Sequence, residues 1–374
     1  MSGIAIFHDN LVQMGGAERV TQALASALPG AALHTTIASL SKLSAELRDM
    51  RPRATWMRYL PAPDRLYRHY FMLYPLAVET ADLRQYDVVV SNCWGYAKGV
   101  HTRPDALHVC YCQTPPRWAW RYNDYVARED MSPMKRLVLP WLIQPLRKWD
   151  LRAARRPDFF IANSNTAASR IRTLYGRDSE VIYPPIDVDR FTVGDTPGDY
   201  YLIVSRLIAY KRIDLAIGAC ARLGRRLVVI GGGPDRARLE RLAGPSVEFL
   251  GRVSDEVVSR MTTGCRALLF PGEEDFGIVP LEANAAGRPV VAWRGGGALE
   301  TVREGETGMF FDEPTPESMA GAILALEQRS WEPARLRRHA EAFDRRLFID
   351  KIRGFLRRTA SSRPAQRALE AMYG

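Results

Sequence analysis

Two short apolar runs, Ala267-Leu268-Leu269-Phe270 and Val290-Val291-Ala292, bracket the stretch from Pro271, and this arrangement constrains the chain more than any other. Each run has the length and composition of a buried strand. Between them Gly277 and Pro280 break the periodicity ahead of a short helix, Leu281–Ala286, and Gly287 with Pro289 supplies its stop signal. The unit is strand, loop, helix, strand. In a parallel sheet of such units, ligands bind at the carboxyl ends of the strands, which puts Glu273, Glu274, Asp275, Phe276 and Gly277 in a crevice. The helix opening at Ile278, Val279 and Pro280 directs free amides there, where an anion would sit. Glu274 in the loop and Glu282 in the helix then address one polar ligand from two sides. By charge alone, both acids read first as solvated loop and helix-surface carboxylates.

The same alternation runs through the whole chain, and 374 residues are too many for one ordinary core. Ile4–Phe7 reads as a strand, followed by a polar loop, His8–Gly16, and a helix over Ala17–Leu28 with Val20, Ala23, Leu24, Ala27 and Leu28 on one face. Gly15 and Gly16 precede that helix, where the backbone can approach a phosphate or simply make a tight turn. Further strands are expected at Tyr86–Ser91, Leu107–Cys112 and Phe159–Ser164. Val181–Asp187 closes the first domain with stiffening prolines, and Thr192–Gly198 is a polar linker. Asp187 and Asp189 have an aspartate spacing that binds metal elsewhere, but their setting at the crossing argues against it. The alternation then restarts with strands at Tyr201–Ser205 and Arg226–Ile230 around a helix at Asp214–Leu223. The boundaries expected are residues 1–190 and 191–351.

Composition narrows the class. Hydrophobic residues at 47% and charged residues at 25% are ordinary for a globular protein and exclude disorder. A net charge of +10 admits nucleic acid, an anionic membrane face or an anionic substrate. Five cysteines with no C-x-x-C pair point to a reducing compartment without structural zinc. No basic and apolar leader precedes the first strand, and no apolar run approaches a bilayer span, so a cytoplasmic location is expected. Two segments concentrate the charge. Arg51–Tyr74 interleaves arginines with Trp56, Tyr59, Tyr67, Tyr70, Phe71 and Tyr74, a pattern that stacks bases, lies at a membrane interface or packs as an amphipathic helix. Met134–Arg156 carries seven basic residues against the single acid Asp150, around an apolar middle broken by Pro140 and Pro145. It suits an anionic membrane surface or a solvated helix beside a core.

Ser205-Arg206-Leu207 and Lys211 lie just past a strand end, so two cations meet the crevice rule and suit phosphate oxygens by planar and point-charge contacts. Arg226–Glu240 contains Gly231 and Gly233, but Arg236 stands where a dinucleotide fingerprint needs its third glycine, which weakens a dehydrogenase reading.

Glu274 and Glu282 are separated by seven residues, and EDFGIVPLEANAAGRPVVA resembles the E-x7-E motif of family 4 glycosyltransferases. HDNLVQMGGAERV is similar to the family's opening motif, SRL-x-x-x-K to its diphosphate-binding pair, and the turns at Gly233 and at Arg252-Val253 to those around its nucleobase. The resemblance runs from Phe7 to Gly308. It implies an α/β chain of the GT-B class, two Rossmann-like domains facing a central cleft, with residues 352–374 crossing back to an N-terminal acceptor domain. It implies a retaining, metal-independent hexose transfer from a nucleotide sugar, with no cofactor, to a glycan or lipid-linked acceptor, and no nucleic-acid partner. GDP-mannose is the donor suggested by likeness to bacterial polysaccharide mannosyltransferases, with a UDP-sugar as alternative.

In that likeness Glu274 meets sugar hydroxyls and Glu282 the ribose. The amides of Phe276, Gly277, Ile278 and Val279 meet sugar and phosphate. Arg206 and Lys211 hold the diphosphate, and Gly15 and Gly16 lie against donor phosphates and the acceptor pocket. One departure stands out. Where the polysaccharide-building branch has a histidine before Thr-Pro, this chain has Gln113, in QTPPRW. An amide donates to a sugar hydroxyl but does not titrate near neutrality. Either Gln113 is a positioning group, or the activity is altered or lost, leaving a donor-binding protein.

Overall fold

The computed structural model describes residues 3–121, 133–194 and 196–373, and only the backbone of residues 133 and 135–137. It divides into two compact units, Met1–Pro185 with Arg346–Gly374, and Ile186–Arg345.

The first unit is a parallel sheet of seven strands: β1 (Ile4–His8), β2 (Ala32–Thr35), β3 (Arg53–Ala54), β4 (Val88–Cys93), β5 (Leu107–Cys112), β6 (Phe159–Ala162) and β7 (Ser179–Val181). Their order is β3-β2-β1-β4-β5-β6-β7. Strand periodicity of two sends Ile4, Ile6, Val88 and Val90 to one face and Ala5, Phe7 and Val89 to the other, each into its own apolar cluster. The first face is covered by the helix Gly16–Ala27 and by Phe348, Ile352, Phe355, Leu356 and Leu369 of the two C-terminal helices, Arg345–Thr359 and Arg363–Tyr373. The second is covered by Leu146, Trp149 and Ala153 of the helix Pro133–Ala153 and by Ala167 and Ile171 of the helix Asn165–Tyr175.

The second unit is a parallel sheet of six strands: β8 (Tyr200–Val204), β9 (Arg226–Ile230), β10 (Val247–Gly251), β11 (Ala267–Phe270), β12 (Val290–Trp293) and β13 (Gly308–Phe311). Their order, β10-β9-β8-β11-β12-β13, is the doubly wound order of a dinucleotide fold. Winding runs outward from β8 in one direction and from β11 in the other, so the switch point lies between these neighbours. The bracketing strands expected from sequence are β11 and β12, in register with Leu268 opposite Val290. The helix between them starts earlier than expected, at Ile278, and runs to Ala285.

The crossings lie at Pro185/Ile186 and Arg345/Arg346, earlier than the boundaries read from sequence. A cut at 351/352 would divide the continuous helix Arg345–Thr359. Within the second unit the entering and leaving strands of chain are joined: Ile186 N donates to Phe343 O at 3.0 Å and Arg345 N to Ile186 O at 3.0 Å.

The basic and aromatic segment packs. Tyr74 is buried, and Trp56, Tyr67, Tyr70 and Phe71 lie against the second core cluster, while Tyr59 projects outward. The helix Pro133–Ala153 corrects one expectation, because it runs through Pro140 and Pro145 without a break. An interior proline costs about 3 kcal/mol. Burial of Ile143, Leu146 and Trp149, at about 2 kcal/mol each, offsets this. Lys135 and Arg136, part of the basic run, have side chains outside the described residues. All five cysteines are buried free thiols. Among the described residues no helix is long and apolar enough to cross a membrane.

Candidate functional site

In the second unit, loops leaving β8 and β11 meet at the switch point. The chain leaves β8 as Ser205-Arg206-Leu207, and Leu207 is fully buried, which fixes the loop and leaves Arg206 exposed at the carboxyl edge. The short turn Ala209–Lys211 then carries Lys211 toward the loop after β11. There the Lys211 ammonium forms an ion pair with the Glu274 carboxylate, both side chains largely shielded from solvent. Lys211 Nζ also lies 5.4 Å from the centre of the Tyr210 ring. Thus two residues far apart in sequence, proposed from different motifs, are in direct contact.

Glycines let the neighbouring loops close on this pair. Gly233, after β9, is so near the β8 loop that an added Cβ would lie 2.2 Å from the Leu207 carbonyl oxygen. Leu207 N donates to Gly232 O at 3.1 Å, and the exposed Arg252, after β10, lies along Gly232. Gly297, after β12, donates its N–H to Glu274 O at 2.8 Å, and a Cβ there would lie 2.2 Å from Phe276 Cα. The Glu274–Gly277 turn is therefore held from below by backbone contacts that admit no side chain.

The remaining expected donor residues divide. Gly277 caps the helix Ile278–Ala285 with φ of 93°, and Ile278 and Val279 form its first turn, partly exposed. Phe276 faces inward, 3% exposed, with its ring 5.9 Å from that of Phe343, so only its backbone is available to a ligand. Val253 is half-buried against the core. Glu282 has a partner unforeseen from sequence: its Oε1 lies 3.5 Å from Nη1 of Arg190, whose Nη2 lies 3.4 Å from Asp255. No motif in the sequence points to Arg190.

In the first unit the carboxyl ends of β1, β4, β5 and β6 carry a polar network. Gln113 Nε2 donates to Asn92 Oδ1 at 2.8 Å, and Asn163 Nδ2 donates to Gln113 Oε1 at 3.2 Å. Asn92 in turn donates to Ala17 O at 2.8 Å and Thr21 Oγ1 at 2.9 Å, while Ser164 Oγ donates to Asn163 Oδ1 at 2.9 Å and caps the next helix at Ala167 N. Gln113 is thus the centre of a bridge from the first helix to the helix Asn165–Tyr175. Gly15 is the N-cap of the first helix, and its N–H donates to Glu18 Oε2 at 3.0 Å; Gly16 beside it is exposed.

Two buried groups beside it were not singled out from sequence. Asp9 accepts four backbone N–H bonds, from Trp94 and Gly95 on Oδ2 and from Tyr96 and Ala97 on Oδ1, at 2.6–2.9 Å. Burial raises its pKa, against the pull of those amides and of Lys98. His8, wholly buried, is held down to about 4 by burial, so it is neutral at physiological pH; its Nε2 lies 4.0 Å from Glu18. The motif HDN was the available signal, but the partners of Asp9 lie more than eighty residues away.

Two family models together span most of the chain. The model described as Glycosyltransferase Family 4 matches residues 14–190, and that described as Glycosyl transferases group 1 matches residues 189–343. The chain belongs to the family 4 glycosyltransferases. Among curated family relatives, a D-inositol 3-phosphate glycosyltransferase of Geodermatophilus obscurus is 31% identical over 230 residues, covering 52% of this chain and 51% of its own. A GDP-mannose-dependent alpha-(1-6)-phosphatidylinositol monomannoside mannosyltransferase of Mycolicibacterium smegmatis is 31% identical over 225 residues, 49% of this chain and 56% of that one. The chain spans about half the length of the curated relatives it matches. Among solved structures, Anabaena Alr3699/HepE in complex with UDP has a TM-score of 0.69 at 19% identity, covering 95% of this chain and 99% of that one. Sucrose-phosphate synthase of Thermosynechococcus elongatus has a TM-score of 0.72 at 17% identity, covering 95% and 98%. With two Rossmann-like sheets, these likenesses give the family 4 chain the GT-B fold.

Proposed function

We propose that this chain is a retaining glycosyltransferase that moves a hexose from a nucleotide sugar to a glycan or lipid-linked acceptor. The observation that carries it is the Lys211–Glu274 pair at the switch point of the second sheet. A diphosphate donor needs cations at the leaving group and an acceptor of hydrogen bonds at the sugar, and this pair presents one of each. The glycosidic bond to the diphosphate breaks, the new bond forms to an acceptor hydroxyl oxygen, and the hydroxyl proton leaves with the departing diphosphate. Lys211 and Arg206 neutralise the charge that develops on that diphosphate; removing one such donor costs roughly a hundred- to thousandfold in rate. Glu274 orients the sugar through its hydroxyls, and Glu282 meets the ribose. No metal or enzyme nucleophile is part of this reading.

Mannose from GDP-mannose is the donor we favour, supported by the GDP-mannose dependence in the name of the mycobacterial relative. A UDP-sugar is the second reading, supported by the structural likeness to a protein in complex with UDP-glucose. A thermal-shift and hydrolysis screen against GDP, UDP, ADP and dTDP sugars, with Glu274→Ala and Arg206→Ala beside the wild type, decides between them. One donor should stabilise the wild type, by about 2.7 kcal/mol at a hundred times its Kd. Both substitutions should weaken that shift and the hydrolysis. Absence of any shift with all four nucleotide sugars would overturn the transferase reading.

A further inference from the structure

The short turn that brings Lys211 to Glu274 ends on a residue in an uncommon backbone state. Arg212, the N-cap of the helix Ile213–Leu223, has φ of 52° and ψ of 37°, the left-handed region. Glycine enters that region freely, whereas an arginine there is strained. Among the described residues only Arg51 and Ala62 are other non-glycines with positive φ, and both lie in the first unit. Such strain persists where surrounding contacts over-determine it, and it gathers at working sites.

Two sets of contacts over-determine it here. Gly272, after β11, lies so close to Lys211 that an added Cβ would be 2.7 Å from the lysine Cα and 2.8 Å from its carbonyl oxygen. Lys211 N donates to Ile208 O at 3.0 Å and Arg212 N to Ala209 O at 3.2 Å, which closes the turn. The Arg212 side chain, 18% exposed, then folds onto the first turn of its own helix. Its Nε donates to Asp214 Oδ1 and its Nη2 to Asp214 Oδ2, each at 3.2 Å, a two-point contact that fixes orientation as well as distance. Nη2 also donates to Pro314 O at 3.3 Å, in the loop after β13. Glycine would meet the backbone angles without strain but could make none of these side-chain bonds. Arginine takes the strained angles and clamps the Lys211 turn to its helix and to the β13 loop.

We infer, on the transferase reading above, that Arg212 is a positioning residue that aims Lys211 at the leaving diphosphate. It acts through the lysine backbone and does not touch the ligand. A lysine carries its charge on a flexible four-carbon stem, so the backbone is the part of its reach that the fold can fix. The full-length wild type, Lys211→Ala, Arg212→Gly, Asp214→Ala and the double variant Lys211→Ala/Arg212→Gly are titrated with GDP against GMP and with UDP against UMP. The monophosphates lack the outer phosphate, so their affinities report on the rest of the nucleotide site. The wild type should prefer at least one diphosphate to its monophosphate, and Lys211→Ala should lower that diphosphate's affinity about tenfold or more. Arg212→Gly should lower it about three- to tenfold and leave the monophosphate unaffected, and Asp214→Ala, which removes the other half of the clamp, should do the same. With Lys211→Ala already present, Arg212→Gly should change nothing further, because the lysine it positions is gone.

An unchanged diphosphate preference in either clamp variant would overturn the inference. So would an equal loss for monophosphate and diphosphate, which marks a general support of the second unit. A loss undiminished in the Lys211→Ala background would overturn it as well, since Arg212 would then meet the phosphate itself. A wild type that takes up GDP or UDP without these coupled losses leaves the transferase reading standing and removes this one; no nucleotide uptake removes the reading beneath it.

Discussion

Gln113 spans two asparagines with a single amide, giving a proton to Asn92 and taking one from Asn163. Both functions of the amide are thereby used in joining β4, β5 and β6 at their carboxyl ends, which makes it a structural tie as well as a candidate for the reaction. Truncation by Gln113→Ala would leave a buried carbonyl and a buried amide without partners, each costing about 1–3 kcal/mol. The expected result is a loss of about 2 kcal/mol in denaturant unfolding. A Gln113→His variant keeps one donor and one acceptor in the neutral ring and should hold most of that stability. It should also give turnover a pH dependence near 6.5 that the wild type lacks. An alanine variant with an unchanged unfolding midpoint would remove the structural role, and a histidine variant with a flat profile would place residue 113 away from the reacting groups.

At the scale of elements, the helix Pro133–Ala153 carries a surface that asks for a partner. Met134, Val138, Trp141 and Leu142 are exposed at helical spacing, and Trp141 is 77% exposed. Lys148 and Arg152 continue the Trp141 stripe and are exposed too. An apolar patch with an indole, followed by cations, has the pattern of a helix resting at a lipid headgroup layer. Binding to vesicles should rise with anionic lipid content. The pair Lys148→Ala and Arg152→Ala should weaken it by about 1 kcal/mol each, and Trp141→Ser should weaken binding to neutral and anionic vesicles alike. Sedimentation with vesicles measures both; retention by neither kind would leave this face to another partner.

The two prolines show why such an element is hard to read from sequence. Local preference says the helix breaks, and burial of Ile143, Leu146 and Trp149 overrides it. The strands were legible because their apolar runs are short, β-branched and buried on both faces, as in Val88-Val89-Val90. Lys211 and Glu274 were legible as charges placed just beyond strand ends. Asp9 and Arg190 were not, since each takes its meaning from partners many tens of residues away that only the folded sheet supplies.

At the scale of the whole molecule, the chain's order in sequence and its division in space disagree at the C-terminus. Residues 346–374 follow the second unit but complete the first. Phe348 and Phe355 meet Tyr111 and Phe159 edge to face, at 5.7 and 6.1 Å between ring centres. Arg353 donates to the carbonyls of Ala27 and Ser26 at 3.1 and 3.2 Å, satisfying the end of the first helix. Five large apolar side chains from this segment are buried in the core, worth about 2 kcal/mol each. That sum is comparable to the roughly 5–15 kcal/mol stability of a whole domain. A chain ending at Arg345 should therefore lose the first unit while the second, with its own sheet and core, stays folded. Calorimetry should show one surviving transition, still raised by the donor nucleotide. A truncated chain that still showed the first unit's melting transition would mean that the last two helices cover the first sheet without holding it together.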